Sequence, residues 1–138
     1  MSSSNVLEAA NRAEVTALLM RSGYRVYRPE ADTEGEDLIL RTPDGLLIPV
    51  QQKGRVHVER GRYARRGIWM LFPSAPFQPD RRRDWFLIEH DRLFEYLEQH
   101  HGQAPSWVHG KWTIRTPAQH LRAFLDPFRI RAAGEPRE

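Results

Sequence analysis

The sequence predicts an α/β fold: an N-terminal helix followed by a mixed sheet with flanking helices. Three observations predict it. Val6, Ala10, Ala13, Ala17 and Met20 recur at helical spacing across residues 6–21. Short apolar runs then alternate with turn signals over residues 24–88. Helix-like segments return only afterwards. A chain of 138 residues is enough for one domain with a real core, so residues 1–131 are expected to form one unit and 132–138 a flexible tail.

Ser4 or Asn5 can cap the first helix, and Gly23 can end it. Residues 24–28 read as a short strand stopped by Pro29, and residues 30–36 as an acidic loop. Residues 37–41 are strand-like and run into Thr42-Pro43-Asp44-Gly45, which has Pro and Gly where a turn uses them. Residues 46–58 then form a long second arm, which makes the pair a hairpin. Residues 68–72 and 85–88 are further strands, separated by a turn-rich excursion with Pro73, Pro76 and Pro79. A helix over 91–99, a strand over 107–114 and a short helix over 117–125 complete the order.

No apolar run reaches the roughly 20 residues of a membrane span. The first residues lack a basic stretch followed by an apolar one, so no secretory signal is expected. With no cysteine, disulfides and thiolate zinc sites are excluded, which fits a cytoplasmic protein. His90, His100, His101, His109 and His120 are scattered without a tight ligand spacing, which argues against zinc. Trp69, Trp85, Trp107 and Trp112 read mainly as packing residues.

The net charge of +3 is modest, but it is unevenly placed. Arg60, Arg62, Arg65 and Arg66 crowd one segment, and Arg81, Arg82 and Arg83 another. Only Lys53 and Lys111 are lysines. Planar guanidinium forks suit phosphate oxygens, so these clusters are candidate nucleic-acid contacts.

The chemistry concentrates between Asp37 and His57. In the long arm, Ile48, Val50, Val56 and Val58 share one parity, while Gln51, Lys53, Arg55 and His57 share the other. One face suits a core and its reverse is polar. The turn folds Asp37 back beside Gln51, with Lys53 one step along. A carboxylate and a carboxamide oxygen suit a hard cation such as Mg²⁺ or Mn²⁺, and a neighbouring ammonium can orient a water or stabilise charge on phosphorus. Arg55 and His57 would hold a flanking phosphate.

Glu36-Asp37-Leu38-Ile39-Leu40, the hairpin, and Val50-Gln51-Gln52-Lys53 resemble the split signature of the PD-(D/E)XK nuclease superfamily. The first helix and Gly23-Tyr24-Arg25-Val26 are similar to that family's entry segment. The resemblance spans residues 6–58 and is nearest to Holliday-junction resolvase and intron homing endonuclease branches. It implies a restriction-endonuclease-like core and a catalytic set of Asp37, Gln51 and Lys53, with Asp37 and Gln51 on the metal. Gln51 stands where the family usually has an acid, a variant that some homing-endonuclease relatives share. The family also adds a Glu from the first helix. Glu14, on a stripe with Leu7, Ala10 and Leu18, is the candidate, with Glu8 as fallback; Glu34 or Glu36 could reach a second metal.

The expected activity is therefore a Mg²⁺- or Mn²⁺-dependent endonuclease acting on DNA in repair, recombination or defence. A homodimer is the expected assembly if both strands are cut. RNA stays an alternative partner. Two other functions compete: a DNA-binding module that kept the fold but lost turnover, and a protein-interaction domain with an aromatic C-terminal surface. The bland reading of Asp37, Gln51, Lys53 and Arg55 is a hairpin cap and the wet face of an antiparallel sheet.

Overall fold

The computed structural model describes residues 4–30 and 37–132. Helix α1 (Ser4–Arg21) leads through Gly23, at φ 88°, into strand β1 (Arg25–Tyr27). Strands β2 (Leu38–Arg41) and β3 (Leu47–Gln52) form the expected hairpin, closed by Gly45 at φ 89°. Only Gly adopts that left-handed conformation without steric cost. Strands β5 (Trp69–Pro73) and β6 (Trp85–Glu89) complete a five-stranded sheet of order β1-β2-β3-β5-β6. The β3–β5 pair is parallel and the others antiparallel, which makes the sheet mixed.

The long second arm is not one strand. It breaks after Gln52, and strand β4 (Val56–Glu59) leaves the sheet. There it pairs antiparallel with β7 (Lys111–Ile114) in a separate two-stranded ribbon. The Lys53 N–H still donates to Leu71 O at 2.8 Å, so the chain leaves the sheet one residue beyond β3. A parallel β3–β5 pair needs a crossover, and β4 with helix α2 (Arg60–Tyr63) supplies it. The segment crowded with Arg60, Arg62, Arg65 and Arg66 therefore includes a helical turn that buries Tyr63.

Side-chain alternation gives the sheet two cores. On one face Leu38, Leu40, Ile48, Val50, Leu71, Trp85 and Leu87 pack under Val15 and Leu19 of α1. On the other, Met70, Phe72, Phe86 and Ile88 pack against the ribbon, helix α3 (His90–His101) and helix α4 (Gln119–Leu125). The expected apolar stripe of α1 is displaced. Val6 and Met20 are exposed, and Val15 and Leu19 form the buried contact. Ala-rich helices offer several near-equivalent stripes, and tertiary packing chooses among them. Residues 107–109, expected to begin a strand, belong to a 3₁₀ turn over Pro105–His109, and the strand starts at Lys111. The described part of the chain contains no helix long and apolar enough to cross a membrane. Residues 133–138 of the expected tail, and Glu34 and Glu36, lie outside the described residues.

Candidate functional site

At the end of β3 the hairpin brings Asp37 and Gln51 together. Gln51 Nε2 donates to Asp37 Oδ2 at 3.0 Å, and the Gln52 N–H donates to the same oxygen at 3.1 Å. The Asp37 N–H in turn donates to Val50 O at 2.8 Å. Gln51 is buried, and its Oε1, like the buried Oε1 of Gln52, has no hydrogen-bond partner among the described residues. An unpartnered buried carbonyl oxygen is costly, by about 1–3 kcal/mol, unless a ligand or water supplies a partner.

These groups form the floor of a cleft of about 740 Å³. Leu7, Glu8, Asn11 and Arg12 of α1, Arg28 and Pro29 after β1, and Pro76 and Phe77 between β5 and β6 line it. Lys53, Gly54, Arg55 and Arg115 complete it. Among the described residues, five cations (Arg12, Arg28, Lys53, Arg55 and Arg115) and two carboxylates, Glu8 and Asp37, line it. The surplus of positive charge suits a polyanion. Arg28 Nη2 donates to Thr16 Oγ1 at 3.1 Å. Its pKa is lowered by burial first and by Arg12 next, while Asp37 opposes the shift.

The donor set fits a hard divalent cation. The Asp37 carboxylate and the orphaned Gln51 oxygen are both hard ligands, and Mg²⁺ keeps several waters of its own. Among the described residues there is no group of three or more His, Asp or Glu able to hold a metal. The carboxamide in place of an acid is consistent with that.

Glu14 turns inward as its stripe predicts, but it meets other partners. Its carboxylate accepts from Arg83 Nη2 at 3.0 Å, from Arg83 Nε at 3.3 Å and from Trp85 Nε1. The physical reason is the parity of the sheet: α1 covers the face that carries Trp85, whereas Asp37 and Gln51 belong to the reverse parity. Glu14 does not line the cleft; Glu8, earlier on the same helix, does.

Of the arginines and histidine expected at nucleic acid, Arg55 alone lines the cleft. Arg83 has a side chain only 4% exposed, tied to Glu14, to Asn11 Oδ1 at 2.6 Å and to Ala75 O at 2.9 Å. It is a structural arginine. Arg60, Arg62, Arg65, Arg66, Arg81 and Arg82 are exposed away from the cleft lining. His57 turns into the ribbon's packing, 3.3 Å from Glu59 Oε1 and edge-on to Tyr63. Burial lowers its pKa, although the Glu59 contact opposes this. Arg28 and Arg115 have no signature in the sequence, since neither belongs to a basic cluster. Arg12 could have been found from its i+4 relation to Glu8, at the open end of the first helix.

No protein-family model matches the chain, and no curated protein sequence matches it. Among solved structures, the chain is similar to the bacterial homing endonuclease I-Ssp6803I, at 14% sequence identity and a TM-score of 0.51. The match covers 94% of this chain and 88% of that one, so the helix-first mixed α/β fold is shared almost end to end.

Proposed function

We propose that this protein is a metal-dependent endonuclease of the PD-(D/E)XK type that hydrolyses DNA phosphodiester bonds. The observation that carries the reading is the meeting of Asp37 with a buried, half-satisfied Gln51 beside Lys53, on the floor of an arginine-lined cleft. The shared fold with a homing endonuclease supports it.

The arginines of the cleft would draw in the phosphodiester and fix it over the floor. Asp37 and the Gln51 carbonyl would hold a Mg²⁺ or Mn²⁺ ion, whose chemistry is to polarise the phosphoryl oxygen and acidify a water. Turning the Gln51 carboxamide would bring Oε1 to the side of Asp37 and release Asp37 Oδ2 from Nε2, leaving that oxygen the Gln52 N–H. Lys53 orients the attacking water and stabilises negative charge growing on the phosphoryl oxygens. The water oxygen gives up a proton and bonds to phosphorus as the bond to the leaving sugar oxygen breaks, and that oxygen takes up a proton, so one water is consumed for each bond cut.

A second reading has its own support. As it stands, Gln51 Nε2 satisfies Asp37 Oδ2, an arrangement suited to a nuclease fold kept only for binding. One experiment separates the two: cleavage of labelled single-stranded, duplex, flap and four-way-junction DNA with Mg²⁺ or Mn²⁺, wild type beside Asp37→Ala and Lys53→Ala. The nuclease reading expects metal-dependent cleavage that falls by at least about a hundredfold in both variants. Binding without cleavage in the wild type selects the binding module.

A further inference from the structure

The β4–β7 ribbon carries a juxtaposition that the crossover of the chain creates. Its register pairs Val56 with Ile114, His57 with Thr113 and Glu59 with Lys111. One step beyond Val56↔Ile114, the same register sets Arg55 beside Arg115. Both are exposed and both line the cleft that holds Asp37 and Gln51. Neither makes a hydrogen bond, ion pair or ring contact with a described residue. The other basic member of the ribbon is treated differently, since Lys111 lies 3.6 Å from Glu59 Oε2.

Like charges facing each other across two strands repel and destabilise the pair. Two guanidiniums at one strand end, without a partner among the described residues, are therefore a cost to the folded protein unless an anion lies between them. Each offers a planar fork of N–H donors matched to phosphate oxygens. The break at Lys53–Gly54 places this pair beyond the floor residues along the chain, at the rim where β4 leaves the sheet. A phosphate held there is separate from one presented to Asp37 and Gln51.

We propose that Arg55 and Arg115 form a guanidinium clamp for a second backbone phosphate of the substrate strand, so that the β4–β7 ribbon sets the register of that strand over the catalytic floor. The clamp rests on the nucleic-acid reading of the cleft, but not on turnover.

The test is DNA binding by the full chain, with Ca²⁺ replacing Mg²⁺ to silence cleavage. The substrate is the tightest binder of the panel above, carrying one neutral methylphosphonate at successive linkages. Wild type is expected to lose about tenfold in affinity at one particular linkage. Arg115→Ala and Arg55→Ala should each bind the unmodified strand about tenfold more weakly, and should lose the penalty at that same linkage. The double variant should lose less than the product of the singles, because both side chains serve one phosphate. Each alanine variant should lower the log–log salt slope by about one. Arg115→Lys should keep the slope while still losing affinity, since it retains the charge without the fork.

Arg122→Ala removes an exposed charge outside the cleft and serves as the reference. The clamp is overturned if Arg115→Ala weakens binding no more than Arg122→Ala, or if the linkage pattern is unchanged in the variants. Absence of binding by wild type to any member of the panel overturns it too, together with the nucleic-acid reading. Intact clamp behaviour with no cleavage in Mg²⁺ overturns the nuclease reading alone.

Discussion

Glu14 and Arg83 show how one residue's partners decide its role. Arg83 is almost wholly buried and directs its donors to Glu14, Asn11 and Ala75, while Trp85 Nε1 donates to the same carboxylate. The guanidinium also lies 5.3 Å from the Phe77 ring centroid, which ties the loop between β5 and β6 to α1 and so fixes one end of the cleft. Removing one member of such a buried pair leaves the other unpaired, at a cost of about 3–5 kcal/mol. Arg83→Ala is accordingly expected to lower unfolding stability by about that amount in urea titrations. Glu14→Gln keeps an oxygen for Trp85 and loses the charge, so a loss of about 1–3 kcal/mol is expected. Below its melting temperature, Glu14→Gln should retain cleavage within about threefold of wild type, because the carboxylate serves packing. A loss beyond a hundredfold with stability unchanged would instead make Glu14 a ligand of the metal.

At the level of elements, the hairpin was legible because its information is local. Thr42-Pro43-Asp44-Gly45 specifies the turn, and period-two alternation puts Asp37 and Gln51 on one face, where they meet at 3.0 Å. The inward turn of Glu14 was legible for the same reason, from its helical stripe. The ribbon was not. Val56–Glu59 resumes the parity of β3 after Gln52 and Gly54, so the alternation alone does not announce that it pairs with Lys111–Ile114 instead of β2. His57 was thereby misplaced and Arg115 missed, since a strand's partner is fixed by the packing of distant segments. Gly54 is the one local hint: a Cβ there would come within 3.2 Å of Asn11 Nδ2, where α1 approaches the break.

The ribbon's junction with α2 offers a direct test. Gly110 has φ 66°, its O accepts the Arg60 N–H at 2.8 Å, and a Cβ on it would lie 3.0 Å from Arg60 Cβ. Gly110→Ala combines left-handed strain with a clash, so it should cost about 1–3 kcal/mol of stability. Gly61, in α2, has nothing within 4 Å of its Cβ position. Gly61→Ala should be neutral or stabilising by about 0.5–1 kcal/mol. Equal stabilities in denaturant for the two variants would contradict this account of the junction.

Across the whole molecule, the titrating groups lean one way with pH. His90 is fully buried between Tyr63 and Phe94; its Nε2 accepts the Glu59 N–H at 3.0 Å, so Nδ1 carries the proton toward Asp91 Oδ1 at 2.9 Å. Burial lowers its pKa below 6.5, and the hydrogen bond and charge of Asp91 do not overcome that. His57 is lowered by burial, with Lys53 adding to the effect and Glu59 opposing it. His101 stacks on Trp112 at 4.7 Å and is lowered by burial and then by His120 and His100. For each of these groups the unfolded chain binds a proton more readily than the folded one. Their contribution is therefore complete above the unfolded value of 6.5 and is lost as pH falls through it toward the depressed folded values. Asp91 acts in the same sense at lower pH. Burial raises its pKa, but bonds from His90 and the Arg65 N–H outweigh this, so its share is lost only below 3.8. The melting temperature should thus fall steadily between about pH 7 and about pH 5, well before carboxylates titrate. His90→Gln keeps a polar partner for Glu59 without a titrating ring. It should melt lower than wild type at neutral pH, by several degrees for a loss of about 1 kcal/mol, and show a shallower decline on acidification. A wild-type profile flat over this window, or a His90→Gln profile as steep as wild type, would mean that buried His90 does not couple folding to protons.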